Sequence, residues 1–146
     1  MDYTKLKTKV AAVRAEHADW TDQQVADELN AAKVPILESI PSTELLAWSA
    51  AEDRFYNIEV CANGDPKPIR SIAKVALLLI SRDGTALDLN LPDRVAFVDA
   101  LVAGEVFTEA DKASLYALAT RLVSWSEIEG FGVVREGHIQ QAKATK

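Results

Sequence analysis

The residue types that most often carry out chemistry are few in this sequence and lie far apart. His17 and His138 are the only histidines, and Cys61 is the only cysteine. A zinc or iron site needs several such donors at short, regular spacings. The sequence therefore predicts no metal site and no cofactor. His17 lies on the apolar side of its predicted helix, which favours a histidine at the edge of the core over a ligand or a proton-transfer group.

Carboxylates are the most plentiful reactive groups, with 22 Asp+Glu against 16 Lys+Arg. Neighbouring pairs such as Glu52 with Asp53, or Glu127 with Glu129, could act as general acid and base only if they were buried together. On an acidic helical chain such pairs usually lie on the solvated surface. The sequence also lacks a G-x-S-x-G elbow and a glycine-rich phosphate turn. We therefore predict no catalytic residues and no enzyme, unless a pocket brings buried carboxylates together with His17.

Composition limits the remaining possibilities. The chain has 146 residues, 49% of them hydrophobic, and a formal net charge of -6. These values predict one soluble globular domain spanning residues 1–146. The acidic balance disfavours direct nucleic-acid binding. The longest apolar run, residues 75–80, is far shorter than the roughly 20 residues that a membrane span requires, so we expect no membrane contact.

Hydrophobic periodicity predicts a largely helical chain. Apolar residues recur at steps of three and four, as on one face of a helix. Thr21 and Thr108 each begin a predicted capping signature, and Ser42 is predicted to cap a third helix. Trp48 and Trp125 lie on apolar stripes, where core packing is the default and a partner interface is the alternative. The predicted helices cover about 3–18, 22–32, 42–61, 68–83, 92–104, 109–125 and 138–144.

The other segments carry weaker signals. Two prolines make residues 34–41 extended or irregular, and a short edge strand there has no obvious partner. Residues 75–80 are apolar all round, which indicates a central helix covered on several sides. A buried strand would also fit them, but the whole segment spans more than ten residues, which favours a helix. The sequence Asn63–Gly64–Asp65–Pro66 is a strong helix stop. Together these patterns predict an all-α fold, a compact bundle of six or seven helices with a short glycine-containing C-terminal clasp.

The most individual pattern is at residues 123–143, VSWSEIEGFGVVREGHIQQAK. It resembles the closing motif of small helical proteins encoded by tailed bacteriophages and prophages. In that family a V-S-R-A-E-like helix end precedes a G-L-G-like turn and then V-x-x-G-H/D-V/I-x-x-A-R/K. Trp125 stands where arginine is usual, and Glu129 interrupts the customary L-G-L-G. Residues 22–31, 82–85 and 98–102 also resemble the family's early and middle segments.

The resemblance implies a noncatalytic structural component of a phage particle, in its tail, baseplate or neck region. Such a protein acts through contacts with other phage structural proteins or with copies of itself in a symmetric assembly. It is made in the host cytoplasm and resides in the virion. The alternative is a phage-encoded regulator or inhibitor that binds a host protein through its acidic surface.

The same motif supplies the candidate partner-binding residues. Glycines permit a sharp turn, after which Phe131, Val133, Val134 and Ile139 can fold back towards Trp125 and Ile128. This clasp either closes the core or forms a docking surface, and Arg135 and His138 add a basic edge that could orient a partner. We refer to the five candidate residues as the C-terminal surface: Trp125, Ile128, Phe131, Arg135 and His138.

Overall fold

Helices make up most of the chain in the computed structural model, which describes residues 1–64 and 68–146. The helices in those ranges are α1 Tyr3–Glu16, α2 Asp22–Asn30, α3 Ser42–Ser49, α4 Arg54–Asn63, α5 Pro68–Ser81, α6 Pro92–Ala103, α7 Glu109–Ala119, α8 Trp125–Ile128 and α9 Glu136–Ala144. Four short strands are β1 Val34–Leu37, β2 Ile40–Pro41, β3 Ala86–Leu87 and β4 Thr120–Val123. The prediction of a mostly helical fold is confirmed, but a strictly all-α fold is wrong.

The strands form two small sheets, β1 with β4 and β2 with β3. In the second sheet the strands are antiparallel, with Ile40 opposite Leu87 and Pro41 opposite Ala86. The possible edge strand at residues 34–41 therefore has a partner. For β1 the partner is β4, which was not expected because residues 120–123 were predicted as part of a helix.

The predicted helix 42–61 is in fact two helices. α3 ends at Ser49, and α4 begins at Arg54 after a turn in which Glu52 and Asp53 have φ angles of 53° and 58°. This left-handed conformation is uncommon for residues other than glycine and cannot continue a right-handed helix. Ser42 is also not the cap, because Pro41 occupies that position and the Ser42 amide donates instead to the Thr85 carbonyl at 3.0 Å.

The predicted helix 109–125 is also interrupted. α7 ends at Ala119, where the Thr120 hydroxyl donates to the Tyr116 carbonyl at 2.7 Å. The chain is then extended until Ser124, whose hydroxyl accepts a hydrogen bond from the Glu127 amide at 3.1 Å and caps α8. These two interruptions explain why the chain has more helices than the six or seven predicted.

Several helix ends agree with the sequence prediction. Thr21 and Gln24 form a reciprocal capping box at the start of α2, and Thr108 and Asp111 form another at the start of α7. α4 ends at Asn63, within the predicted stop, but residues 65–66 of that stop lie outside the described residues. None of the described helices combines the length and the apolar character needed to cross a membrane.

The described residues form two compact units. Unit 1 comprises Met1–Ile36 and Leu122–Lys146, and unit 2 comprises Leu37–Arg121. The division falls within strands β1 and β4. The single domain over 1–146 stays a prediction.

Unit 1 has its own hydrophobic core. It brings together buried side chains from α1, α2 and α9, with Val134 from the segment before α9. Its buried members are Leu6, Val10, Val13, Val25, Ala26, Leu29, Val134, Ile139 and Ala142.

Unit 2 has a second core, which includes buried residues of α3 to α7 and of strands β2 and β3. Within it, α4 and α5 pack closely together. The prediction that residues 75–80 are covered on several sides is wrong, because Val75 is 52% exposed and Leu78 is 61% exposed. α5 therefore buries one face through Ala73, Ala76 and Ile80 and leaves apolar side chains on the other.

Candidate partner-binding site

The C-terminal turn is built by two glycines. Gly130 and Gly132 have φ angles of 70° and 65°, a conformation that is unfavourable for residues with a Cβ atom. Between them, the Phe131 amide donates to the Ser126 carbonyl at 2.8 Å. The chain therefore turns sharply after α8, as the glycine pattern predicted.

Asn30, the last residue of α2, fixes the segment that follows this turn. Its Oδ1 accepts from the Val134 amide at 2.9 Å, and its Nδ2 donates to the Val134 carbonyl at 2.7 Å. Oδ1 also accepts from the Ser126 hydroxyl at 3.1 Å. One side chain thus satisfies both backbone groups of a buried residue and holds α8 beside it. The role of Asn30 was not predicted, because an asparagine at a helix end is common and its partner lies 104 residues away.

Hydrophobic burial completes the attachment of the C-terminal segment. Val134 and Ile139 are buried in the core of unit 1, as their proposed folding back requires. Val133 behaves differently from the prediction, because it is 68% exposed. The Asn30 hydrogen bonds fix the backbone of Val134, whose side chain is buried, whereas the neighbouring Val133 side chain lies in solvent.

The structure brings some residues of the C-terminal surface together. The Trp125 and Phe131 rings meet edge to face, with centroids 5.2 Å apart, and both side chains are half-buried. Ile128 is 50% exposed. The Arg135 amide donates to Nδ1 of His138 at 3.2 Å, so that imidazole nitrogen is an acceptor at the start of α9. No hydrogen bond or ring contact between described residues joins this second pair to the aromatic pair.

Charged side chains surround the C-terminal segment. Lys5 of α1 pairs with Glu129, and the hydrogen bond from Lys5 to this carboxylate raises the pKa of Lys5. Asp22 accepts hydrogen bonds from Lys143 and Arg14. The Lys143 bond is the main reason that the pKa of Asp22 is lowered, and it outweighs burial, which acts in the opposite direction. These ion pairs join α1, α2 and α9 within unit 1.

A cleft of about 160 Å³ lies beside Trp125 in unit 1. Its lining includes Glu16, His17 and Glu28. His17 stacks on Trp20 with a centroid distance of 3.7 Å, and Glu28 pairs with Lys33 at 2.6 Å. Neither carboxylate is buried, so the cleft does not supply the buried carboxylates beside His17 that would have indicated catalysis.

Other reactive groups are equally dispersed. Ser71 and Lys74 of α5 have the Ser-x-x-Lys spacing of some acyl-transfer enzymes, so the expectation that the sequence contains no such pair is wrong. Both side chains are exposed, and none of the described hydrogen bonds joins them. Within the described parts of the chain, no three His, Cys, Asp or Glu residues lie close enough to hold a metal ion.

Comparison with known proteins adds no relative. No family model matches the chain, and neither a curated protein nor a solved structure matches it. The geometry described above is thus the basis for a functional proposal, together with the sequence resemblance.

Proposed function

We propose that this protein is a noncatalytic structural component of a tailed bacteriophage particle, in its tail, baseplate or neck region. It acts through protein–protein contacts with other phage structural proteins or with further copies of itself. It is made in the host cytoplasm and is then incorporated into the virion. In this proposal the protein contacts neither a membrane nor nucleic acid directly.

The observation that carries this proposal is the exposure of two aliphatic side chains on a fixed turn. Ile128 and Val133 lie on either side of the two glycines, and half or more of each side chain is open to solvent. The backbone between them is held by the Ser126 and Asn30 hydrogen bonds. A surface that is already ordered loses less conformational entropy when a partner binds, which favours a docking role.

The neighbouring side chains suit an interface. Trp125 and Phe131 are only half-buried, so their exposed edges can extend an apolar contact. Aromatic residues of this kind are enriched where binding energy is concentrated. The exposed Arg135 can add a charge contact that orients the partner.

The alternative function, a regulator that binds a host protein, is favoured by a different observation. Unit 2 contains 8 basic and 13 acidic residues, whereas unit 1 contains 8 and 9. Most of the net negative charge is therefore in unit 2. A basic groove on a host protein would be attracted to such a surface.

Mass spectrometry of purified phage particles distinguishes the two functions. The structural proposal expects the chain at a fixed copy number per particle. The paired substitution Ile128→Asp with Val133→Asp should lower that number roughly tenfold, because charges replace the apolar contact. Leu78→Asp, at an equally exposed apolar position in unit 2, should leave it unchanged.

Circular dichroism and thermal unfolding of the isolated variants establish that they fold. If the chain is absent from particles but abundant in infected cells, the structural proposal is wrong. A stoichiometric host protein recovered with the chain from the same cells would then favour the regulator.

A further inference from the structure

A second unpartnered surface lies in unit 2, between α3 and α4. It is a groove of about 580 Å³. We refer to it as the α3–α4 groove. Leu46 is 46% exposed and Tyr56 is 63% exposed, so large apolar side chains lie open to solvent on both sides of it. Its apolar and small lining residues are Leu46, Ala47, Ala50, Phe55 and Tyr56.

The groove is formed before any partner binds. The left-handed residues Glu52 and Asp53 set the change of direction between the two helices. Next to them, the buried Arg54 donates to the Trp48 carbonyl at 3.0 Å and to Asp111 of α7 at 2.8 Å. Because these contacts fix the start of α4 to the end of α3, the two walls of the groove hold their separation.

The chain segment that forms the groove is mostly acidic. Among residues 34–64 the only basic side chain is Arg54, which is buried and paired with Asp111 and, at 3.4 Å, with the largely exposed Glu52. Asp53 lines the groove and Glu52 precedes it. Glu59 lies one turn beyond Tyr56 on α4 and is exposed. The groove therefore combines apolar walls with an acidic rim.

We propose that the α3–α4 groove binds a basic amphipathic helix of another protein. Apolar side chains at one face of that helix would contact Leu46 and Tyr56, as in other complexes in which a helix lies in a groove. Lysine or arginine side chains flanking that face would meet Glu52, Asp53 and Glu59. Such charge complementarity selects a basic helix over an acidic one and speeds its association.

A second copy of this chain does not fit as well. Its unit 2 has the same excess of acidic residues, so contact between two such surfaces would bring like charges together. The lysine-rich α1 is the basic amphipathic helix that the chain does offer. Its apolar residues Leu6, Val10 and Val13 are already buried in the core of unit 1.

The binding test uses the full chain and a defined probe. The probe is a fluorescein-labelled helical peptide made only of leucine and lysine. Its leucines follow the spacing i, i+3, i+4 and i+7, so that one face of the helix is apolar and the other is basic. Fluorescence anisotropy should show saturable binding with one peptide per chain. A peptide of the same composition in scrambled order should bind at least about tenfold more weakly, and one with glutamate in place of lysine should not bind.

Variants of the chain locate the site. Tyr56→Asp should weaken binding about tenfold or more, because it places a charge on the apolar wall. The double variant Glu52→Gln with Asp53→Asn should weaken binding severalfold and reduce its salt dependence. The asparagine retains the tolerance for a left-handed backbone at that position. Leu78→Asp and the double variant Asp83→Asn with Glu105→Gln are matched controls and should bind like the original chain.

Several results would overturn the inference. These are an absence of saturable binding, equal binding of the scrambled peptide, or equal losses in the control variants. Sedimentation equilibrium that shows a dimer, lost in Tyr56→Asp, would instead assign the groove to a second copy. None of these outcomes bears on whether the chain is found in phage particles.

Discussion

Arg54 is a buried cation whose polar contacts hold three elements of unit 2 together. Nε donates to Asp111 Oδ1 at 2.8 Å, and Nη1 donates to the Trp48 carbonyl at 3.0 Å. The guanidinium also lies 4.4 Å from the centre of the Trp48 ring. The other oxygen of Asp111 accepts from the Thr108 amide at 2.9 Å. Arg54 and its partner Asp111 therefore connect α3, α4 and the cap of α7.

Removing the cation should destabilise the protein strongly. Arg54→Ala is expected to lower the free energy of unfolding by about 3 kcal/mol, because it leaves Asp111 buried without its charge partner. Arg94→Ala is the matched control, because the Arg94–Asp93 ion pair is exposed to solvent. It should lower the free energy of unfolding by less than about 0.5 kcal/mol. Urea unfolding measures both. Equal effects would show that the buried pair has no special role.

Asp111 should also make stability depend on pH. Burial raises the pKa of this carboxyl, but hydrogen bonds from Thr108 and Arg54 outweigh burial, and the net pKa is below the ordinary 3.8. A lowered pKa means that the stabilisation is complete above pH 3.8 and is lost as the pH falls through the folded value.

The difference in unfolding free energy between the original chain and Asp111→Asn should therefore be constant near neutral pH. It should shrink when the pH is lowered below about 3.8. Urea unfolding at a series of pH values measures this difference. A gap that widens in acid would contradict the assignment.

Asn30 should contribute to stability through the backbone of Val134. Asn30→Ala leaves a buried amide and carbonyl without their partner, which should cost about 2 kcal/mol. Hydrogen exchange at the Val134 amide should become faster by more than exchange at other core amides. Asn63→Ala removes only an exposed bond to the Glu59 carbonyl and serves as the control. Unchanged protection at Val134 would show that the hydrogen bonds from Asn30 do not hold the segment.

At the scale of elements, the C-terminal turn depends on backbone conformation rather than on space. A Cβ atom added at Gly130 or Gly132 would meet nothing within 4 Å, yet both residues have positive φ angles. Gly130→Ala and Gly132→Ala should each lower the unfolding free energy by about 1 kcal/mol. Gly137→Ala, inside α9, should raise it by about 0.5 kcal/mol, because alanine favours a helix. Thermal unfolding should show destabilisation by the first two substitutions and stabilisation by the third. Stabilisation by all three would contradict the left-handed conformation of the two turn glycines.

Local signals in the sequence were sufficient for most helix boundaries. The capping boxes at Thr21 and Thr108 were predicted because every group involved lies within four residues. The breaks after Ser49 and Ala119 were not predicted, because their causes are distant in sequence. Arg54, which follows the left-handed residues of the first break, donates to Asp111, 57 residues later, and residues 120–123, which follow the second break, pair with β1. The spacing of apolar residues remains helical across both breaks, so it predicts one continuous helix in each case.

The candidate site was predictable to a similar degree. The glycines indicated the turn, and the contact between Trp125 and Phe131 follows from it. The hydrogen bonds from Asn30 and the outward position of Val133 were not predicted. Both depend on which of two neighbouring valines is buried in the core. Nothing in the sequence pattern distinguishes Val133 from Val134.

At the scale of the whole molecule, charge is divided unevenly between the two units. Both histidines and a nearly balanced set of charges are in unit 1, whereas unit 2 has a net charge of -5 from 8 basic and 13 acidic residues. The C-terminal surface therefore lies in a mixed charge environment and the α3–α4 groove in an acidic one. Two surfaces of different chemistry suit a subunit that contacts two different neighbours.

A reconstruction of the intact phage particle tests the central proposal most directly. The proposal predicts density for this chain at a defined place in the tail, baseplate or neck, with Ile128 and Val133 covered by a neighbouring protein. Density for the chain with those two side chains open to solvent would contradict the proposed interface. Particles that lack the chain altogether would contradict the structural function itself.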